Sequence, residues 1–277
     1  MFTLNCKGRL HVIDQPWVMG IINTTPDSFY QGSRTAQDEV LFRAESMIRD
    51  GARILDIGGQ STRPGSQRVG MEEELRRVIP AITAIHERFP DQIISVDTFY
   101  AKVAREAVAA GASIVNDVSA GMLDEAFLST VAELKVPYVL MHMPGNPETM
   151  QSLAHYNNVT VDVFDALNRR LKELTALGIH DIIIDPGFGF GKTIEQNFTM
   201  LRQLRFFSQL QRPVMVGLSR KSTVYKTLGI GPEEALNGTT VLHTVALQNG
   251  AHILRVHDVK EAVQAVTLMK HIGLETQ

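Results

Sequence analysis

One unit recurs along the chain and constrains its fold more than any single residue does. A short apolar run ends in polar residues, a loop follows, then an amphipathic helical pattern, then the next run. The runs lie at 17–23, 53–58, 93–97, 113–118, 138–143, 181–185, 214–219 and 253–257. Apolar runs of this length bounded by turn residues read as strands buried on both faces. Between them, Val40, Leu41, Ala44, Met47 and Ile48, and again Leu75, Val78, Ile79, Ile82 and Ile85, fall on one face of a helix. Gly51, Gly111, Gly178 and Gly250 stand where helix C-caps belong. Strict alternation implies a parallel sheet, and eight units in 277 residues favour a closed (β/α)8 barrel of the TIM type. An open doubly wound sheet shares the same period and stands as the alternative.

Ahead of the first unit, residues Phe2 to Asp14 alternate apolar and polar on both sides of Lys7-Gly8, the pattern of a β-hairpin. Residues 1–14 are therefore expected to cap the N-terminal end of the barrel. With no composition break and no Pro/Ser-rich linker, residues 1–277 read as one domain.

Composition narrows the partners. With 27 basic against 30 acidic residues, 44% hydrophobic and 21% charged, the chain carries no nucleic-acid footprint and no disordered tail, so a small molecule is the expected partner. Cys6 is the only cysteine, which excludes an internal disulfide and a cysteine-based zinc cluster. Neither a signal peptide nor a membrane-length apolar run is evident, and the expectation is a soluble, cytoplasmic protein.

In a barrel of this type the chemistry sits at the C-terminal strand ends. Those ends supply Asn23, Asp56, Asp97, Asn116-Asp117, His142, Asp185, the run Ser219 to Ser222, and Arg255 with His257-Asp258. Asp97, Asn116 and Asp185 suit the donor-rich edge of a flat heterocycle, because an ionised carboxylate accepts two parallel N–H bonds. Arg255, His257 and the segment at Asn23 suit an anion such as phosphate.

Plainer roles compete at several positions. Asp117 and Asp258 are each as well read as N-caps of a following helix, and Asp56 as a brace of the barrel. His142, followed by Met143 and Pro144, reads as structural, and no HExxH or paired-His spacing supports zinc. The stretch Asp185 to Thr193, DPGFGFGKT, has a P-loop ending, but Pro186 occupies the place of the first P-loop glycine. Its glycines instead permit tight turns that bring Phe188 or Phe190 over a ring.

Taken together, MGIINTTPDSF (19–29), DIGGQSTRPG (56–65), SVDT (95–98), NDVSA (116–120), LMHM (140–143), DPGFGFGK (185–192), GLSRKS (217–222) and RVHDV (255–259) resemble the dihydropteroate synthases, folate-pathway enzymes targeted by sulfonamides. The resemblance spans nearly the whole chain and keeps the motifs in order. It implies a (β/α)8 transferase that joins para-aminobenzoate to 6-hydroxymethyl-7,8-dihydropterin diphosphate, giving 7,8-dihydropteroate and diphosphate. It further implies Mg2+ and a homodimer. By similarity, Asp97, Asn116, Val118, Met141, Asp185, Gly217 and Lys221 form the pterin slot. Asn23, Thr62, Arg255 and His257 meet the diphosphate, with Asn23 the metal ligand. Phe29, Thr62, Arg63, Pro64, Phe190, Lys221 and Ser222 frame the aminobenzoate. Asn23, Thr62, Arg63, Lys221, Arg255 and His257 are then the catalytic set.

Many members of that family carry Glu before STRPG and Asp-Gly-Gly after the PDSF turn, where this chain has Gln60 and Gln31-Gly32-Ser33. These differences bear on loop closure and sulfonamide binding more than on the reaction. Two other functions fit parts of the pattern: a pterin-dependent methyltransferase, which has no use for the STRPG loop or the diphosphate groups, and a barrel that binds pterin without turnover.

Overall fold

The computed structural model describes residues 1–24, 34–60 and 69–273. Lys7 and Gly8 have φ of 52° and 85°, the left-handed values that a two-residue type I′ turn requires. They fold β1 (Phe2–Cys6) antiparallel onto β2 (Arg9–Ile13). The repeating units follow: β3 (Trp17–Asn23), α1 (Arg34–Arg49), β4 (Ile54–Gly58), α2 (Met71–Arg88), β5 (Ile93–Asp97), α3 (Ala101–Ala110), β6 (Ile114–Asp117), α4 (Phe127–Leu134), β7 (Tyr138–Met141), α5 (Val159–Ala176), β8 (Ile182–Asp185) and α6 (Ile194–Arg202). After a 3-10 helix at Leu204–Leu210 come β9 (Met215–Val216), α7 (Ser222–Leu228), α8 (Leu236–Gln248), β10 (Ile253–Val256) and α9 (Val259–His271).

The eight strands β3 to β10 pair in parallel as β8-β7-β6-β5-β4-β3-β10-β9, and an Ile184↔Val214 bridge joins the two ends. The expected (β/α)8 barrel with its hairpin is thus what forms. The expected strand at 214–219 is cut to two residues. The chain leaves the ladder at Gly217 and turns, with Lys221 N–H donating to the Leu218 carbonyl at 3.2 Å and Arg220 at φ 52°. Gly51, Gly111, Gly178 and Gly250 all have positive φ just after helices, as their capping role requires. No described helix is long and apolar enough to cross a membrane.

The strand period of two sorts the interior into levels. Met19, Ile54, Ile93, Ile114, Val139, Ile183, Met215 and Ile253 form one buried cluster with Leu4, Cys6 and Ile13 of the hairpin. The hairpin therefore seals the apolar bottom of the barrel. Two residues further along each strand stand Ile21, Asp56, Ser95, Asn116, Met141, Asp185, Gly217 and Arg255; two further again, Asn23, Gly58, Asp97, Val118, Met143, Gly187, Ser219 and His257. The interior turns from apolar to polar in one step toward the C-terminal ends. The intervening residues, such as Leu55, Ile57, Ile94 and Val96, face outward and pack under the helices with Val78, Ile82 and Ile85.

Candidate active site

Arg255 of β10 lies across the barrel mouth from β4 and β5. Its Nε donates to Asp56 Oδ2 at 2.7 Å and its Nη2 to Asp97 Oδ2 at 2.6 Å. Asn116 donates through Nδ2 to the same Asp56 oxygen at 3.0 Å. Asp56 is fully buried and acts as the brace, linking three strands through one carboxylate oxygen. Burial pushes Asp97 up to about 7, with Arg255 pulling the other way and Asp56, Glu74 and Asp117 adding to the rise. Burial works against the charge of the guanidinium, but Asp56 and Asp97 hold its affinity for the proton above the usual arginine range. Asp97 Oδ1 accepts nothing from a described residue, so it stands ready for an N–H of a ligand.

Asp185 ends β8 and is also buried. Its Oδ1 accepts from Gly187 N–H at 2.8 Å, and burial raises its pKa against the opposing pull of Lys221. Lys221 reaches over from the loop after β9: Nζ donates to the Phe188 carbonyl at 2.6 Å and lies 4.7 Å from the centre of the Phe190 ring. Burial brings its pKa down to about 8, with Asp185 resisting. A surface lysine would do none of this. Phe190 joins Phe99, Val118, Met141, Met143 and Met150 in an apolar cluster at the top of the barrel, whereas Phe188 is fully buried in the main core. Of the two phenylalanines, Phe190 is the one placed at the site. A Cβ added at Gly217 would lie 3.5 Å from Lys221 Nζ, so glycine keeps a flat space open beside the ammonium.

The remaining strand-end residues divide by role. His257 is tied to Ser219, whose Oγ accepts from its backbone N–H at 3.1 Å and lies 3.2 Å from Nδ1. Burial and then Arg255 lower its pKa to about 4, leaving a neutral imidazole near neutral pH. Asp258 does not cap α9 through its side chain. Its two oxygens instead grip Arg220 Nε and Nη2 at 2.8 and 2.9 Å, which fixes the loop that carries Lys221. Asp117 is no helix cap either: it accepts from Ser119 N–H and Oγ, Gly121 N–H and Tyr138 Oη, all within 2.9 Å. These four donors satisfy its carboxylate and make it structural. His142 is structural as expected, its pKa lowered to about 3 by burial and then by Lys192.

Phe29, Thr62, Arg63 and Pro64, and with them Gln31 and Ser33, lie outside the described residues. Gln60, at the stem before that stretch, is described. Its amide pairs in both directions with the Val69 backbone, at 3.2 and 3.3 Å, and donates to the buried Glu74. An ionised glutamate at 60 could donate neither bond, which gives the glutamine a physical reason.

For a magnesium ion, the relevant group is Asn23, partly exposed at the end of β3. Asn23 Oδ1 and Asp97 Oδ2 both stand within 3.8 Å of where a Gly58 side chain would begin. Among the described residues no group of three or more His, Cys, Asp or Glu forms a metal cage. One hard amide oxygen at an open mouth fits Mg2+, which takes one or two protein oxygens and fills its shell with phosphate oxygens and water.

The strand-end rule brought Ser219, Arg220 and Asp258 to the mouth of the barrel but not their partners, His257 for the first and each other for the last two. It missed Phe99 and Met150 in the apolar wall and the buried Lys192, of which Phe99 and Lys192 lie next to or in the motifs and Met150 carries no sequence signal.

Comparison with known proteins agrees with this geometry. Residues 19–257 match the model of a family described as pterin binding enzyme. A dihydropteroate synthase of Escherichia coli strain K12 is 42% identical over 270 residues, covering 96% of this chain and 95% of its relative. The Xanthomonas albilineans dihydropteroate synthase with 4-aminobenzoic acid superimposes with a TM-score of 0.90 at 42% identity, covering 98% of each chain. A structure of the X. albilineans enzyme in complex with 7,8-dihydropteroate gives 0.87 at 40% identity, covering 98% of this chain and 99% of that one.

Proposed function

Since the chain belongs to the pterin-binding enzyme family, among its dihydropteroate synthases, we infer that it condenses 6-hydroxymethyl-7,8-dihydropterin diphosphate with para-aminobenzoate in folate biosynthesis. It is a transferase; the products are 7,8-dihydropteroate and diphosphate. The observation that carries the reading is the placing of two buried carboxylates and two partly buried cations around an apolar slot. Asp97 stands with Arg255, and Asp185 near Lys221, while Val118 and Met141 line the gap.

Departure of diphosphate from a methylene conjugated to the pterin leaves a cation delocalised over the ring, which the neutral arylamine then attacks. The residues suit this SN1-like path. Asp97 and Asp185 hold the N–H edge of the ring and place negative charge where the cation develops. Asn116 is committed to Asp56 through its amide nitrogen, which leaves its carbonyl oxygen as an acceptor for the pterin. Lys221 donates toward the heterocycle and, with Phe190 and Ser222, borders the aminobenzoate. Arg255 has Nη1 uncommitted to any described residue and, with His257, receives the departing diphosphate. Phe29, Thr62, Arg63 and Pro64 complete the aminobenzoate side by family resemblance. Asn23 would hold Mg2+, which when bound neutralises charge on the diphosphate. A homodimer in the cytoplasm completes the reading, again by resemblance to the family. Mixing the protein with both substrates and Mg2+ and following diphosphate release tests it.

A further inference from the structure

Lys192 is 4% exposed, and its side-chain nitrogen is surrounded by three backbone carbonyls and one imidazole nitrogen. Nζ donates to the carbonyls of Gly187 and Phe190, each at 2.9 Å, and lies 3.1 Å from His142 Nδ1 and 3.4 Å from the His142 carbonyl. An ammonium has three hydrogens to donate, enough for both carbonyls and a third contact at His142, whereas a methyl group in the same place donates to none of them. The acceptors come from two loops, the one after β7 (His142) and the one after β8 (Gly187, Phe190). The loops are pressed together: a Cβ at Gly187 would overlap the His142 carbonyl oxygen, and Gly187, Gly189 and Gly191 have φ of 74°, 82° and 56°.

That backbone runs straight into the site. The peptide whose carbonyl Lys192 holds belongs to Gly187, whose N–H fixes Asp185 Oδ1 at 2.8 Å. His142 N–H bonds the Asp185 carbonyl at 3.0 Å. Asn197 pins the far side of the same loop, Oδ1 accepting from Gly189 N–H at 2.8 Å, so the ammonium is needed at the Asp185 end in particular. Its charge also lies close enough to Asp185 for each to shift the other's proton affinity.

We propose that Lys192 is a positioning residue for pterin recognition, an internal ammonium that locks the loops after β7 and β8 together and so presents the Asp185 carboxylate to the ring. The proposal rests on the pterin-binding reading above. It predicts a selective defect. Lys192→Met keeps the chain length and burial but removes the donors, so the loop carbonyls lose their partner and Asp185 its fixed orientation.

The test measures binding of 6-hydroxymethylpterin by calorimetry and steady-state KM for both substrates, in the wild-type protein and Lys192→Met. The expected result is a loss of about tenfold or more in pterin affinity (~1.4 kcal/mol) with a clearly smaller change in the aminobenzoate KM, since Phe190, whose carbonyl also loses its donor, borders that substrate. Lys192→Ala should regain affinity and melting temperature in ammonium chloride and not in equal sodium chloride, because free ammonium can enter the vacated cage. Unchanged pterin affinity in Lys192→Met, or equal losses for both substrates, would overturn the proposal. So would a Lys192→Ala protein whose stability responds identically to the two salts. A wild-type protein that binds no pterin overturns the functional reading itself, which keeps the two failures apart.

Discussion

Arg255 and Asp97 sit on β10 and β5, 158 residues apart in sequence, yet Nη2 and Oδ2 are 2.6 Å apart in the barrel mouth. The pair is nearly buried, with side-chain exposures of 15% and 10%, and in the absence of Asp97 the guanidinium keeps Asp56 as its carboxylate partner. Asp97→Ala should therefore destabilise the fold only by the lost hydrogen bond to a charged group, ~1–3 kcal/mol in urea unfolding, and abolish measurable pterin binding in calorimetry. Stability and pterin affinity both left at wild-type levels would contradict the assignment.

Lys221 differs because its partners are a carbonyl and a ring face, not a paired carboxylate. Its removal should spare the fold. Lys221→Ala is expected to lower kcat/KM by about two to three orders of magnitude, the usual size for a lost electrostatic donor, while the melting temperature shifts by only a few degrees. Near-normal turnover would remove Lys221 from the catalytic set.

The same two groups set a pH profile. Asp97, with its pKa near 7, loses its negative charge as the solution is acidified, so kcat/KM should fall on the acid side. Lys221, near 8, loses its positive charge as pH rises, so the rate should fall again on the alkaline side. Lys221→Arg keeps its charge to high pH and should abolish the alkaline limb in whatever activity it retains. For stability the sign is opposite to a usual salt-bridged carboxylate. The folded pKa of Asp97 exceeds the unfolded value of about 3.9, so its contribution is fully present below that value and is lost as pH rises through about 7.

Gln60 offers a structural prediction. Gln60→Glu replaces an N–H donor to buried Glu74 and to the Val69 carbonyl with a second carboxylate. The substitution should cost ~1–3 kcal/mol in denaturant unfolding, and the cost should shrink at acidic pH as the carboxyl groups protonate. A variant as stable as the wild type at pH 8 would contradict this account.

Much of this was legible in the sequence because the strand period is rigid. Once Ile54, Ile93, Ile183 and Ile253 face the barrel axis, Asp56, Ser95, Asp185 and Arg255 must face it too, two residues on. The hairpin was equally legible, since Lys7-Gly8 is a local signal. Pairings across the barrel were not. Nothing in the sequence says that Asp258 holds Arg220 instead of capping α9, or that Asp117 meets Tyr138, because such choices are made by packing between segments far apart in the chain. The short β9 has a similar cause: 214–219 has a strand's apolar pattern, but Gly217 and the left-handed Arg220 release it from the ladder to carry Lys221 into the site.

The charges around the slot are assigned to the displacement of diphosphate by an arylamine. The direct measurement mixes the protein with 6-hydroxymethyl-7,8-dihydropterin diphosphate, para-aminobenzoate and Mg2+, following diphosphate and 7,8-dihydropteroate together. Both should appear in equimolar amounts, dependent on aminobenzoate and lost in Lys221→Ala. Diphosphate release no faster than in the protein-free mixture would contradict that assignment.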